Sequence, residues 1–258
     1  MGNISGPRYQ PSLVMPVTDY SKNQRARQIF DGIAPRYNLI SQLLSFYQAG
    51  AWRQFLVSRL KVGPGDTVLD ICTGTAVLAL KIAGKSGARV VGVDLSDEML
   101  RQGQQDVSRA GLESSVALVK GRAEDLGFSD ASFDSVCFTW LLRYVDSPPA
   151  TLSEVVRVLK PGGSLVSLEF GVPDNIFVRG LWNVYTRLGL PLTTRFMSPG
   201  WRHVGSFLGP NIAEFCRNYS VEDLRRIWTD LGIVDVRVKK LSLGGGVVMW
   251  GTKAPVDS

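Results

Sequence analysis

The stretch that decides the fold runs from Val68 to Ala76 and has the sequence Val-Leu-Asp-Ile-Cys-Thr-Gly-Thr-Ala. Its apolar start predicts a buried strand, and the short turn around Gly74 predicts the beginning of a helix. A glycine there lets a ligand approach the backbone closely. The stretch has neither the G-x-x-x-x-G-K-[ST] loop that cradles phosphates nor the complete G-x-G-x-x-G of dinucleotide-binding proteins. These differences weaken the case for a phosphate-anchored nucleotide.

Short apolar strands alternate with helices on the C-terminal side of this stretch. Such alternation predicts parallel pairing, with helices on both faces of the sheet and ligands at the carboxyl ends of the strands. We therefore predict an α/β fold with a doubly wound, mostly parallel seven-stranded sheet. After the first strand, the predicted strands are 89–94, 116–119, 133–138, 165–170, 234–240 and 247–252.

The rest of the chain predicts one domain over residues 25–258, preceded by a flexible polar tail over residues 1–24. Apolar residues at helical spacing between residues 25 and 60 predict an N-terminal helical segment. Residues 175–217 interrupt the strand–helix alternation and predict an inserted helical cap. The apolar residues and arginines of this cap fit two interpretations, an amphipathic helix packed on the core or an apolar entrance that docks on an anionic membrane.

Composition limits the class of protein. The 258 residues are 45% hydrophobic and 20% charged, with no apolar run long enough to cross a membrane. The net charge of +6 is not concentrated in one basic run, which favours an anionic phospholipid surface over nucleic acid as a partner. Three cysteines without metal-ligand spacing and a single histidine predict no metal site. We expect a cytoplasmic enzyme with reduced thiols.

Two aspartates follow apolar strands at comparable positions. Asp70 ends the first strand, and Asp94 ends the second. A carboxylate at the end of the second strand can accept hydrogen bonds from both hydroxyls of a ribose. Either aspartate alone is better explained as a turn former. Together they favour a nucleoside ligand, with its base near residues 121–126 after the third strand.

These motifs, with the Lys-Pro-Gly-Gly turn at residues 160–163, resemble the class I S-adenosylmethionine-dependent methyltransferases, whose fold is Rossmann-like. A closer resemblance is to the ubiquinone/menaquinone biosynthesis C-methyltransferases, over about residues 25–253. The segments that carry it are 30–34, 36–38, Leu142-Arg143, Leu168-Glu169-Phe170 with Pro173, 245–248 and 251–253.

The resemblance implies S-adenosylmethionine as the cofactor. Gly74 and Thr75 are expected at its methionine part and Asp94 at its ribose. The implied cofactor-binding residues are Asp70, Gly74, Thr75, Asp94, Met99, Arg122, Ala123 and Thr139.

The resemblance also implies how the other groups are placed. Arg122 and Ala123 are expected to line the adenine, and Thr139 to face the sulfonium. Met99 fits two interpretations, a cover for the adenine face or a helix residue packed on the sheet.

The chain departs from the family pattern at several positions. Ala76 replaces the last glycine of the turn, and Arg122 stands where the family more often has Asp or Asn. Asn38 replaces an aspartate, and Tyr144 follows Leu142-Arg143 in place of an asparagine. Most of these changes face the substrate side.

Two residues are the candidates for catalysis. A cation near a phenol oxygen favours the phenolate and so lowers the pKa of the phenol, and Arg143 is our candidate for that cation. Tyr37 is expected to close over the cofactor. Asp146 and Glu169 are alternatives for the proton acceptor, and the residues alone do not choose between them.

The leading hypothesis is therefore a C-methyltransferase that acts on a prenylated demethylquinol ring in quinone biosynthesis. Two alternatives stay open, a methyltransferase of a soluble aromatic small molecule and a non-catalytic, cofactor-binding scaffold of a biosynthetic complex. A nicotinamide dehydrogenase is the weakest alternative because the glycine fingerprint is absent. The expected partners are the quinol or aromatic substrate and an anionic membrane surface that holds the enzyme peripherally. The resemblance is compatible with a homodimer.

Overall fold

A computed structural model describes residues 21–34 and 37–255 of the chain. Seven strands form one sheet. They are β1 (Thr67–Ile71), β2 (Arg89–Asp94), β3 (Val116–Lys120), β4 (Phe133–Thr139), β5 (Leu159–Phe170), β6 (Ile233–Leu241) and β7 (Gly246–Lys253).

Ten α-helices lie within the described ranges, with a 3₁₀ turn at Leu142–Tyr144, another at Ser242–Gly244 and a π-helical turn at Tyr185–Gly189. The helices are α1 (Ser21–Asp31), α2 (Tyr37–Leu44), α3 (Gln48–Val57), α4 (Val77–Ser86), α5 (Asp97–Arg109), α6 (Pro148–Val158), α7 (Ile176–Val184), α8 (Leu190–Thr194), α9 (Pro199–Asn218) and α10 (Val221–Asp230).

The strand order is β3-β2-β1-β4-β5-β7-β6. All neighbouring pairs are parallel except those of β7, which runs antiparallel to both β5 and β6. The predicted doubly wound, mostly parallel sheet is therefore confirmed. The chain leaves β1 toward β2 and later crosses back to β4, so the carboxyl ends of β1 and β4 flank the topological switch point where such folds bind ligands.

Helices cover both faces of the sheet, which explains why its central strands β1 and β4 are buried along nearly their whole length. Every residue of β1 is buried. One core cluster includes Phe133, Phe138 and Trp228, and a second includes Leu56 and Ile82. Alternation of buried and exposed residues is lost in such strands because both faces are packed.

The segment predicted as a cap is helical and consists of α7, the π-helical turn, α8 and α9. The last of these helices packs closely on the preceding two elements, since a side chain at Gly205 would collide with Thr194 and one at Gly209 with Thr186. At the other end, α1 begins at Ser21, inside the range predicted as a tail. The rest of that predicted tail, residues 1–20, lies outside the described residues.

The turn predicted at residues 160–163 is only partly right. Helix α6 ends at Val158 as the signal indicates, but the residues after it lie inside β5. Leu159 pairs with Phe133, and the register then shifts before Ser164 pairs with Ser135. The Pro-Gly-Gly sequence therefore forms an irregularity within the strand, where Gly162 adopts a φ of 78° that favours glycine.

Candidate active site

The turn after β1 is held by a buried carboxyl group. Asp70 accepts a hydrogen bond of 2.7 Å from the hydroxyl of Thr73, and the thiol of Cys137 lies 3.8 Å from its other oxygen. Burial raises the pKa of Asp70 to about 7, against the effect of these hydrogen bonds. The side chain lies beneath the turn and fixes its shape.

The same turn contains three residues with left-handed backbone conformations. They are Cys72, Gly74 and Ala76, with φ values of 57°, 55° and 61°. Only glycine adopts this conformation without strain, which costs other residues about 1–2 kcal/mol each. Such strain collects at ligand-binding sites. At Ala76, a glycine would adopt the same conformation without this strain.

Asp94 joins the turn after β1 to the loop after β2. One carboxylate oxygen accepts from the amide of Gly74 at 2.8 Å, and the other accepts from the amide of Ser96 at 2.9 Å. Burial raises the pKa of Asp94, while the two amide hydrogen bonds lower it. Each oxygen keeps a lone pair for a further donor such as a ribose hydroxyl.

The N-terminal helices are tied to this site by two polar contacts. The hydroxyl of Thr75 donates to the side-chain oxygen of Asn38 on α2 at 2.7 Å. The hydroxyl of Ser96, which caps α5, donates to Asp31 of α1 at 2.6 Å. The asparagine that departs from the family pattern thus anchors α2 above the turn.

Tyr37 lies at the start of α2 among aromatic rings. Its ring stacks on that of Trp201 with centroids 6.1 Å apart and meets Phe30 edge-on at 6.3 Å. Burial raises the pKa of its hydroxyl, and the charge of Arg53 lowers it. Tyr37 therefore covers the site as an uncharged aromatic side chain.

A cavity of about 700 Å³ opens at the carboxyl ends of β1, β2 and β4, beneath α2 and the cap. Its walls bring together eight of the ten residues predicted from the sequence. These are Tyr37, Gly74, Thr75, Asp94, Met99, Ala123, Thr139 and Arg143.

The two other predicted residues are placed differently. Asp70 lies behind Thr73, which forms the wall in its place. At the expected adenine position the wall consists of Gly121, Ala123 and Glu124, while the guanidinium of Arg122 lies 3.9 Å from Asp125. A contact of Arg122 with adenine stays a prediction.

Arg143 lies on the 3₁₀ turn after β4 and is neutralised by a buried acid. Its guanidinium is 3.5 Å from the carboxylate of Glu169 and donates to the hydroxyl of Tyr144 at 3.2 Å. Although burial lowers the pKa of Arg143, these two neighbours raise it. Glu169 also accepts from the amide of Leu142 at 2.9 Å, so the pair fixes the turn. Burial raises the pKa of Glu169 to about 7.

Neither candidate for the proton acceptor reaches the cavity. Glu169 lies behind Arg143, and Asp146 is exposed beyond the turn. Neither Glu169 nor Asp146 is therefore assigned as the proton acceptor.

A buried residue of the cavity wall that the sequence analysis missed is Arg53 on α3. It is 5% exposed, lines the cavity, and places its guanidinium 4.6 Å from the ring centroid of Trp140. The sequence contains a signal for this position, because Ala49, Trp52, Arg53 and Leu56 are spaced i, i+3, i+4, i+7 and are all buried.

The residues of the turns fit S-adenosylmethionine. A Cβ added at Gly74 would meet no atom within 4 Å, so the backbone there faces open space. Asp94 offers carboxylate oxygens for hydroxyl groups, and Met99 offers an apolar surface to a base. The described residues hold no group of three or more His, Cys, Asp or Glu side chains arranged for a metal ion.

A model of the ubiE/COQ5 methyltransferase family matches residues 18–253. The chain belongs to this family. Among its relatives, a demethylmenaquinone methyltransferase of Symbiobacterium thermophilum is 34% identical over 96% of this chain and 98% of its own length. The ubiquinone/menaquinone biosynthesis C-methyltransferase UbiE of Geotalea daltonii is 32% identical over 90% and 97% of the two chains.

Solved structures agree on the fold of this methyltransferase. A SAM-dependent methyltransferase of Thermotoga maritima superposes with a TM-score of 0.58 at 21% identity, covering 88% of this chain and 99% of its own. The geranyl diphosphate C-methyltransferase of Streptomyces coelicolor also gives 0.58, at 19% identity, covering 80% and 77%. The predicted family, the class I fold, the methyltransferase reaction and S-adenosylmethionine as cofactor are thus confirmed.

Proposed function

We propose that this methyltransferase adds a methyl group to a ring carbon of a prenylated demethylquinol. The observation that carries the proposal is the continuity of the cavity, which runs from the cofactor turn at Thr73 and Asp94 to apolar residues of α7. An aromatic ring beside the cofactor can therefore keep its isoprenoid tail in the same apolar space. The names of the relatives, demethylmenaquinone methyltransferase and UbiE, support this substrate class.

The chemistry divides between the cofactor and the chain. When bound, S-adenosylmethionine supplies a methyl group on a sulfonium, which is an activated leaving group. The protein aligns the acceptor and excludes water. Tyr37 and Trp201 form an aromatic roof over the cavity, and Thr139 and Trp140 form the wall beyond β4. Asp94 orients the nucleoside through its carboxylate.

A direct assay tests this function. The protein is incubated with methyl-deuterated S-adenosylmethionine and reduced demethylmenaquinol in detergent, and the products are analysed by mass spectrometry. We expect one labelled methyl group on a ring carbon. Label only on a water-soluble aromatic acceptor would support the soluble-substrate alternative, and cofactor binding without transfer to either acceptor would support the scaffold.

We further propose that the cap holds the enzyme on an anionic membrane. Helix α7 has no buried residue, and Phe177, Leu181, Val184 and Leu188 follow one another at helical spacing as exposed apolar side chains. We call these four residues the outer stripe. Phe46, Leu181 and Leu243 are exposed and also line the cavity, so they mark its mouth next to this stripe.

Charge supports an anionic lipid surface as the partner of the outer stripe. Residues 175–213 contain Arg179, Arg187, Arg195 and Arg202 and no aspartate or glutamate. Basic residues beside an apolar helix face add electrostatic attraction to anionic headgroups. No helix of the described residues is long and apolar enough to span a bilayer.

The homodimer implied by the family stays a prediction, which sedimentation equilibrium tests.

A further inference from the structure

Arg53 is a buried cation that faces the cavity, and no carboxylate among the described residues forms an ion pair with it. No carboxylate of the described residues lies within ion-pair distance of its guanidinium, which rests instead on the ring of Trp140. Asp70 of β1 and Tyr37 of α2 act on Arg53 only through space. Burial lowers the pKa of Arg53. Tyr37 and Asp70 oppose this effect but do not cancel it.

Arg143 offers an informative contrast on the other side of the same aromatic pair. Trp140 and Phe170 are stacked with centroids 5.1 Å apart, Arg53 lies over Trp140, and Arg143 lies over Phe170 at 5.0 Å. Arg143 is paired with Glu169, whereas Arg53 is not. Of these two cations, Arg53 is therefore the one whose charge is available to a ligand.

An uncompensated cation in a protein interior is costly, and it is strongly destabilising unless a partner is supplied. A negative charge that develops on a bound substrate would supply it. In a site built to methylate carbon, that charge is the phenolate oxygen of the acceptor, since ionisation makes the neighbouring ring carbon nucleophilic.

We propose that Arg53 binds and ionises the phenol oxygen of the methyl acceptor, while Arg143 holds the turn after β4. This inference rests on the proposed function and changes the role expected for Arg143. The phenol proton leaves to solvent, and the adjacent ring carbon forms a bond to the methyl group as the methyl–sulfur bond breaks. The proton on that ring carbon then moves to the oxygen through water, which restores the aromatic phenol.

A chromogenic phenol tests the proposal without methyl transfer. We choose 2-octyl-4-nitrophenol because its phenolate absorbs visible light and its alkyl chain imitates a tail. Opposite charge lowers the pKa of a neighbouring acid by about 1–3 units. We expect the bound dye to titrate about one unit or more below the free dye in the wild-type protein, and close to the free dye in Arg53→Gln. Arg53→Lys should give an intermediate value, because lysine keeps the charge without the planar fork.

The matched control is Arg59→Gln, which removes an arginine that lies over Phe55 and outside the cavity wall. It should leave the pKa of the bound dye at the wild-type value. The proposal is overturned if Arg53→Gln also leaves that pKa unchanged, if Arg143→Gln alone abolishes the shift, or if the wild-type protein does not bind the dye.

Thermal unfolding of the ligand-free protein separates substrate binding from a structural role. Removing an uncompensated charge should not destabilise the protein, so Arg53→Gln should melt no lower than the wild type. Arg143→Gln leaves Glu169 buried without its partner and should melt clearly lower. A similar loss in both variants would show that Arg53 is structural and would overturn the proposal.

The two proposals fail independently. If the wild-type protein does not methylate demethylmenaquinol while the dye shift still depends on Arg53, the substrate assignment fails and the phenolate site stands. If methylation occurs and the pH profile of kcat/KM is the same in Arg53→Gln as in the wild type, the inference about Arg53 fails alone.

Discussion

Among single residues, Asp94 tolerates little change, because each of its carboxylate oxygens accepts a hydrogen bond from a backbone amide of a different loop. An asparagine of the same shape must turn an NH₂ group toward either Gly74 or Ser96, where it meets another donor. Losing one such bond costs about 1–3 kcal/mol. We therefore predict that Asp94→Asn weakens the binding of S-adenosylmethionine by roughly 10- to 100-fold in calorimetry.

The control for this substitution is Asp97→Asn. Asp97 is exposed, pairs with Arg27 and Lys120, and does not line the cavity. Its loss should leave the dissociation constant unchanged. Equal affinity of Asp94→Asn and the wild type for the cofactor would contradict the place given to Asp94.

Asp70 predicts a dependence of stability on pH. Burial raises its pKa from 3.8 to about 7, so the folded protein binds more protons than the unfolded chain between about pH 4 and 7. The contribution of Asp70 to stability must then fall as pH rises through this window. In urea titrations, the unfolding free energy of Asp70→Asn relative to the wild type should increase from pH 4 to 7, on the order of a few kcal/mol.

This difference isolates Asp70 because all other titrating groups are shared. A constant difference between Asp70→Asn and the wild type across the pH range would show that Asp70 titrates at a similar pH in both states.

At the scale of elements, α2 is coupled to the cofactor turn through the hydrogen bond between Thr75 and Asn38. The side chains of this helix are at most partly buried, with Tyr37, Ile40 and Leu44 packed on the cluster around Trp201, so the hydrogen bond adds to a limited packing contact. We predict that Asn38→Ala speeds hydrogen exchange of the backbone amides in α2 several-fold. Asn38→Asp keeps an acceptor oxygen, so its α2 amides should exchange more slowly than those of Asn38→Ala. The readout is peptide-resolved mass spectrometry over residues 37–44, and equal exchange in Asn38→Ala and the wild type would contradict the coupling.

The elements also show which parts of the structure the sequence predicts and why. The bounds of β1 and β2 agree with the prediction to within a residue, because both are short and largely apolar, with an aspartate at or next to the carboxyl end. Strand β5 was predicted to begin too late, because long-range pairing with β4 overrides the local turn preference of Pro161-Gly162-Gly163. Tertiary contacts decide such boundaries, and local sequence does not contain them.

In the candidate site, too, some residues are predicted from local sequence and others depend on tertiary contacts. Most of the predicted residues that line the cavity follow strand ends, which meet at one edge of the parallel part of the sheet. The pairing of Arg143 with Glu169 joins β4 to β5 and leaves no local signal. Arg53 was missed although its spacing places it on the buried face of α3, because an arginine at such a position is ordinarily expected to reach solvent.

For the whole molecule, the N-terminal helices and the cap act as one cover over the sheet. The ring of Phe46, between α2 and α3, lies 5.2 Å from that of Tyr185 in the cap, and the Tyr185 hydroxyl donates to the carbonyl of Leu44. The mouth of the cavity opens beside these contacts. A tailed substrate entering from a bilayer would therefore pass the edge of this cover and reach the cofactor turn without crossing water.

The outer stripe makes this route testable. Phe177 and Val184 are exposed and do not line the cavity, so Phe177→Ser with Val184→Ser should leave turnover of detergent-dispersed substrate unchanged. Fully burying such apolar side chains contributes about 1.5–3 kcal/mol each, so flotation with anionic phosphatidylglycerol vesicles should weaken at least tenfold. Wild-type binding should also fall with added salt and be weak on neutral phosphatidylcholine vesicles.

Val234→Ser, which removes an exposed apolar residue of β6, should float like the wild type. If the double variant binds anionic vesicles as tightly as the wild type, the outer stripe is not the membrane contact.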